Sequence, residues 1–193
     1  MPNADTPFGL RPVRDVYGAP YSGSLNTYST ATGDADAIFI GDPVVLSGTS
    51  QTINGEVYAD VDQAATGGVI VGVVVGVLPV TADSTIYRAA STQRLLLVCD
   101  NPNALFEIQE VSGGTALTAN DIGLNANFVV GSGSTVTGLS GVELNNGTEA
   151  TTNTLDLKIV GLSRRPDNAI GEHAKWLVRI NRHQYSNQVA GPA

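Results

Sequence analysis

The chain has 193 residues, 42% of them hydrophobic and only 15% charged, with a formal net charge of −8. That length suits one domain, or one domain with an extended tail, and the apolar fraction supports a packed core, which excludes a disordered chain. The negative charge argues against a general nucleic-acid binder, which needs cations to displace counterions from phosphates.

Residues 1–30 read as an extended arm. Pro2, Pro7, Pro12 and Pro20 each remove a backbone donor and push the preceding residue toward extended conformations. The stretch nonetheless carries Phe8, Leu10, Val13, Tyr17 and Tyr21. An arm of that kind either packs back on its own domain or binds a neighbour.

From Ala37 onward the hydrophobic period is two. Ile38-Phe39-Ile40 and Val44-Val45-Leu46 flank the turn Gly41-Asp42-Pro43, and Asn54-Gly55 is the strongest hairpin signal in the chain. Residues 69–77 form a β-branched run bounded by Gly67-Gly68 and Pro79, suited to a buried strand. Residues 95–99 form another. In residues 105–110, Phe106 and Ile108 share one face and Glu107 and Gln109 the other. Alternation returns over 124–130, at Val142 and Leu144, over 155–159 and over 176–181. Short helical turns are expected only near residues 117–121 and 167–170. The prediction is a mainly β fold: an antiparallel β-sandwich or β-barrel, with the arm over 1–30 and a single β-rich domain over 31–193.

Signals for chemistry are weak. Gly138-Leu139-Ser140-Gly141 lacks the glycine two residues after the serine that a nucleophile elbow requires. His173 and His183 are too few and too far apart for a zinc motif, and Asp34-Ala35-Asp36 and Asp60-Val61-Asp62 suit turns or solvated edges better than a calcium loop. Cys99 is the single cysteine and follows an apolar run, as a small buried hydrophobe does. The expectation is a non-enzyme with no catalytic residue, no cofactor and no metal. The opening residues lack the pattern of a signal peptide and the longest apolar run is too short to span a bilayer, so the chain is expected to be made in a cytoplasm and to bind no membrane.

The cations are unevenly placed. None lies between Asp15 and Tyr87 or between Leu95 and Asp156, while Lys158, Arg164, Arg165, Lys175, Arg179 and Arg182 follow Asp156 and Arg11 and Arg14 stand near the start. Two readings stay open: scattered surface charge, or two termini that meet an acidic partner surface while the middle faces solvent.

Two strings bear on that choice. Thr6-Pro7-Phe8-Gly9-Leu10-Arg11-Pro12-Val13-Arg14 resembles the opening of a family of tailed-bacteriophage virion proteins, and Gly161-Leu162-Ser163-Arg164-Arg165-Pro166-Asp167-Asn168 with residues 174–181 is similar to its end. Ile40-Gly41-Asp42-Pro43-Val44 and Asp100-Asn101-Pro102 occur between them in the same order. The resemblance implies a capsid decoration (cement) protein: a homotrimer on the virion exterior, with the phage major capsid protein as partner. The interface residues then expected are Pro7, Phe8, Leu10, Arg11, Arg14, Arg164 and Arg165. The alternative is a head-fibre or tail module that binds a host receptor or glycan.

Overall fold

The computed structural model describes residues 3–186. Met1 and Pro2 of the expected arm and residues 187–193 of the expected domain lie outside the described residues. The fold is mainly β. Five strands, β2 (Asn26–Ser29), β3 (Pro43–Ile53), β4 (Glu56–Gln63), β5 (Gly72–Val77) and β6 (Leu95–Cys99), close a barrel in the order β2-β4-β3-β5-β6. Five more form an open sheet in the order β1-β7-β12-β11-β8: β1 (Arg11–Asp15), β7 (Ala104–Gln109), β8 (Asn125–Ala126), β11 (Leu157–Leu162) and β12 (Lys175–Ile180). β9 (Phe128–Val129) and β10 (Glu143–Leu144) make a short ribbon.

The open sheet is antiparallel, but the barrel is mixed, because β2 runs parallel to β4 where Ser29 faces Asp60. An odd number of strands cannot alternate direction all the way round a closed ring, so one parallel seam is unavoidable. The β3–β4 hairpin turns at Asn54 and Gly55 with φ of 53° and 87°. Positive φ at both central residues is what a two-residue turn of this hand demands, and Asn-Gly meets it at low cost.

Alternation along β5 and β6 serves two cores at once. Val74, Leu96 and Val98 point into the barrel with Val44 and Val61, while Val73 and Cys99 join Phe106, Ile108, Trp176 and Val178 beneath the open sheet. The barrel wall is thus also the floor of the sheet. Both faces of β7 are covered, since all six of its residues are buried. Its polar side is covered: Gln109 accepts from the Thr6 amide and donates to Asp5 and Glu143, and Glu107 lies under a strap described below. Of the two expected helical turns, residues 117–121 supply a 3-10 turn, Ala119–Asp121, closed by a Thr118–Asp121 capping box. Residues 167–170 form a turn and bend without helix.

Residues 3–30 do not stand away from the domain as an arm. Leu10 is buried in the core beneath the sheet, β1 pairs antiparallel with β7, and β2 completes the barrel. The Asn3 side chain donates to the carbonyls of Ala169 and Glu172. Pro12 is compatible with β1 because that strand is at the sheet edge and carries a register shift between Pro12 and Arg14. The prolines suppressed a strand signal without preventing an edge strand.

The segment enters through a tight crossing. The Leu10 amide donates to the Gly41 carbonyl over 2.8 Å, and Gly41 has a φ of +99°. A Cβ on Gly41 would lie 2.3 Å from the Phe8 carbonyl oxygen. Left-handed strain and backbone overlap act together, so Gly41→Ala is expected to destabilise the fold by about 2–4 kcal/mol, measured by chemical denaturation. A change below about 0.5 kcal/mol would show that the crossing is loose.

Candidate functional site: a basic face on the open sheet

Directly opposed residues of an antiparallel pair share a face. Arg11 faces Glu107, and Glu107 faces Leu177; Arg14 faces Leu105, and Leu105 faces Arg179; Arg179 in turn faces Lys158, and Lys175 faces Gln109. Arg11, Arg14, Lys158, Lys175 and Arg179 therefore all stand on the side of the sheet turned from the core. The chain leaving β11 folds over this side, fixed by the Ser163 amide donating to the Lys175 carbonyl at 2.9 Å, and adds Arg164 and Arg165. Of the remaining cations, Arg88 and Arg94 are buried, and Arg182 donates to the Gly67 carbonyl.

Glu107 lies at the centre of the face and is only 2% exposed. Its carboxylate accepts from the Ser163 hydroxyl and pairs with Arg11, while Arg165 approaches at 3.5 Å. Burial pushes this carboxyl up, but the Ser163 hydroxyl and the Arg11 and Arg165 guanidiniums together hold it below the usual carboxylate range. Arg165 is oriented by a two-point contact with Asp167, at 3.0 and 2.9 Å. Arg11 also lies over the Phe8 ring, 4.8 Å from its centroid.

The other cations divide by commitment. Lys158, Lys175 and Arg179 donate to the backbone carbonyls of Gly123, Ala4 and Pro102. Arg14 and Arg164 are exposed, and neither is in an ion pair among the described residues. They border two adjoining clefts of about 660 and 610 Å³, which also contain Val13, Leu177, Val160 and Ile122. Two free guanidiniums beside apolar ground suit a carboxylate-bearing surface: the fork geometry takes carboxylate oxygens in pairs, and the apolar residues add contact area.

Six of the seven residues expected at an interface reach the surface. Arg11, Arg14, Arg164 and Arg165 converge on one face; Phe8 is half-buried beneath Arg11, and Pro7 is exposed nearby in sequence. Leu10 does not belong with them, because it is 1% exposed and fills the core. Glu107, the residue that assembles the face, gave no signal beyond its place in an alternating strand.

Several of the other polar positions have structural partners. Ser140 is buried, accepts from the Val142 amide and hydrogen-bonds the buried Asp42. Asp34 pairs with Arg88 at 2.7 Å, and Asp60 accepts from Ser29, Thr49 and Gln51. His183 is fully buried, its pKa pulled down to about 4 chiefly by burial, so the ring is neutral near pH 7 and accepts from the Tyr185 amide. Burial likewise pushes the Cys99 thiol up. No family model, curated protein or solved structure matches the chain.

Because the folded Glu107 pKa is depressed, its contribution is fully present above the ordinary value of 4.5 and is lost as pH falls through and below it. Glu107→Gln is expected to cost about 1–3 kcal/mol at pH 7. The gap to wild type should close between about pH 5 and pH 3. A pH-independent gap in parallel denaturation curves would remove the carboxylate charge from the account.

Proposed function

We propose that the chain is a viral structural protein, a capsid decoration protein that binds the outer surface of a phage major capsid shell and stabilises it. The observation that carries this reading is the segregation of charge. A chain of net charge −8 gathers seven of its ten cations on one side of one sheet and leaves two of them without an ion-pair partner among the described residues. Charge set apart in this way steers the basic face toward an acidic partner.

Support also comes from the strings that resemble phage virion proteins. The one over residues 6–14 supplies Arg11 and Arg14, and the one beginning at Gly161 supplies Arg164 and Arg165. They lie far apart in the chain and line one cleft. In this reading Arg14 and Arg164 engage carboxylates of the shell protein, with Val13, Val160 and Leu177 as the apolar contact. Each contact is modest, and repetition over a lattice, with the chain itself as a homotrimer, raises the avidity. The β3–β4 hairpin and the acidic barrel then face outward from the virion.

The test is a double charge reversal, Arg14→Glu with Arg164→Glu. Both side chains are exposed and in no ion pair among the described residues, so the melting temperature should stay within about 2 °C of wild type. Binding to purified expanded shells, measured by co-sedimentation, should weaken at least about tenfold, or ~1.4 kcal/mol. Unchanged shell binding in a folded variant would overturn the assignment.

A further inference from the structure

A second cluster, apart from Arg14 and Arg164, joins three stretches of chain. Asp5 comes from the N-terminal segment, Glu143 from β10 and His173 from the loop before β12, and one donor atom of each lies within 4.8 Å of the other two. Gln109 Nε2 donates to Asp5 Oδ1 at 2.9 Å and to Glu143 Oε1 at 2.8 Å, which fixes both carboxylates from one side. Each keeps lone pairs free on the other side.

The imidazole is the group that gives this cluster its meaning. His173 Nδ1 is buried and has no hydrogen-bond partner, and it lies 3.5 Å from Asp5 Oδ1. A buried ring nitrogen left unsatisfied beside two carboxylates is costly unless a cation completes the arrangement. The neighbouring lysine does not supply it, since Lys175 Nζ donates to the Ala4 carbonyl at 2.9 Å. Burial, and then the charge of Asp5, push the Glu143 carboxyl up, against the pull of Gln109 and His173. The Glu110 carboxylate is occupied by Trp176 Nε1, the Leu117 amide and Asn146.

We propose that Asp5, Glu143 and His173 bind a zinc ion, which staples the N-terminal segment to the body of the domain. One imidazole nitrogen and two carboxylate oxygens make a donor set of zinc type, with solvent in the remaining position. Gln109 is the outer residue that orients two of the three ligands. Bond lengths of about 2.0–2.2 Å require the donors to close by roughly 1 Å. Asp5 has that freedom, as its side chain is 62% exposed. The site is independent of what the basic face binds.

The experiment is calorimetric titration of the full chain, freed of metal by chelator, with zinc chloride. The expected result is one equivalent bound at micromolar or tighter affinity, with a rise in melting temperature. Asp5→Asn and His173→Asn should each weaken binding at least about tenfold. Asparagine is chosen at 173 because the backbone there has a φ of +59°, which asparagine tolerates well, and Asp5→Asn leaves an exposed position folded in any case. No binding at about 100 µM zinc, equal binding of calcium, or affinity unchanged in both variants would each overturn the proposal.

Discussion

A carboxylate held at 2% exposure must replace its lost water with donors, and Glu107 takes three of them from two distant places in the chain. Arg11 belongs to the first strand, and Ser163 and Arg165 to the strap after β11. The strand carrying Glu107 is central enough that neither neighbour could be omitted without leaving the charge exposed or unpaired. The interaction therefore fixes the edge strand, the strap and the spacing of the guanidiniums above them. What remains after Glu107 is satisfied is the surplus of positive charge at Arg14 and Arg164.

That arrangement rests on a scaffold in which one wall is used twice. β5 and β6 give alternate side chains to the barrel interior and to the core beneath the open sheet, so the two parts share rigidity without a linker. The N-terminal segment crosses this wall at Gly9 and Gly41, both at positive φ, where added Cβ atoms would fall within 2.4 Å of backbone oxygens. Bare backbone at the crossing is what lets Leu10 reach the core and Arg11 the outer face one residue later.

The parts of the fold legible in the sequence were those governed by short-range chemistry. Asn54-Gly55 placed the hairpin, the Leu95–Cys99 strand fell where the apolar run stood, and the period of two gave the mainly β class. The N-terminal strands were hidden because Pro12 and a register shift erase the alternation that marks a strand, and an edge position tolerates both. Burial of both faces of β7 was hidden for a different reason: its cover comes from residues 5 and 6 and from 163–165, far away in sequence. Arg11, Arg14, Arg164 and Arg165 were legible as cations near two termini. Their meeting depended on Glu107, and the cluster of Asp5, Glu143 and His173 on a fold that no local spacing encodes.

The proposed role joins these features into one account, in which an acidic chain spends its few free cations on a single docking face. A cryo-EM reconstruction of the parent particle tests this most directly. The account predicts density for the chain on the outer shell, with Arg14 and Arg164 against acidic side chains of the shell protein and the β3–β4 hairpin turned to solvent. A particle in which the basic face of the open sheet is turned to solvent, or which lacks the chain on its shell, would contradict it.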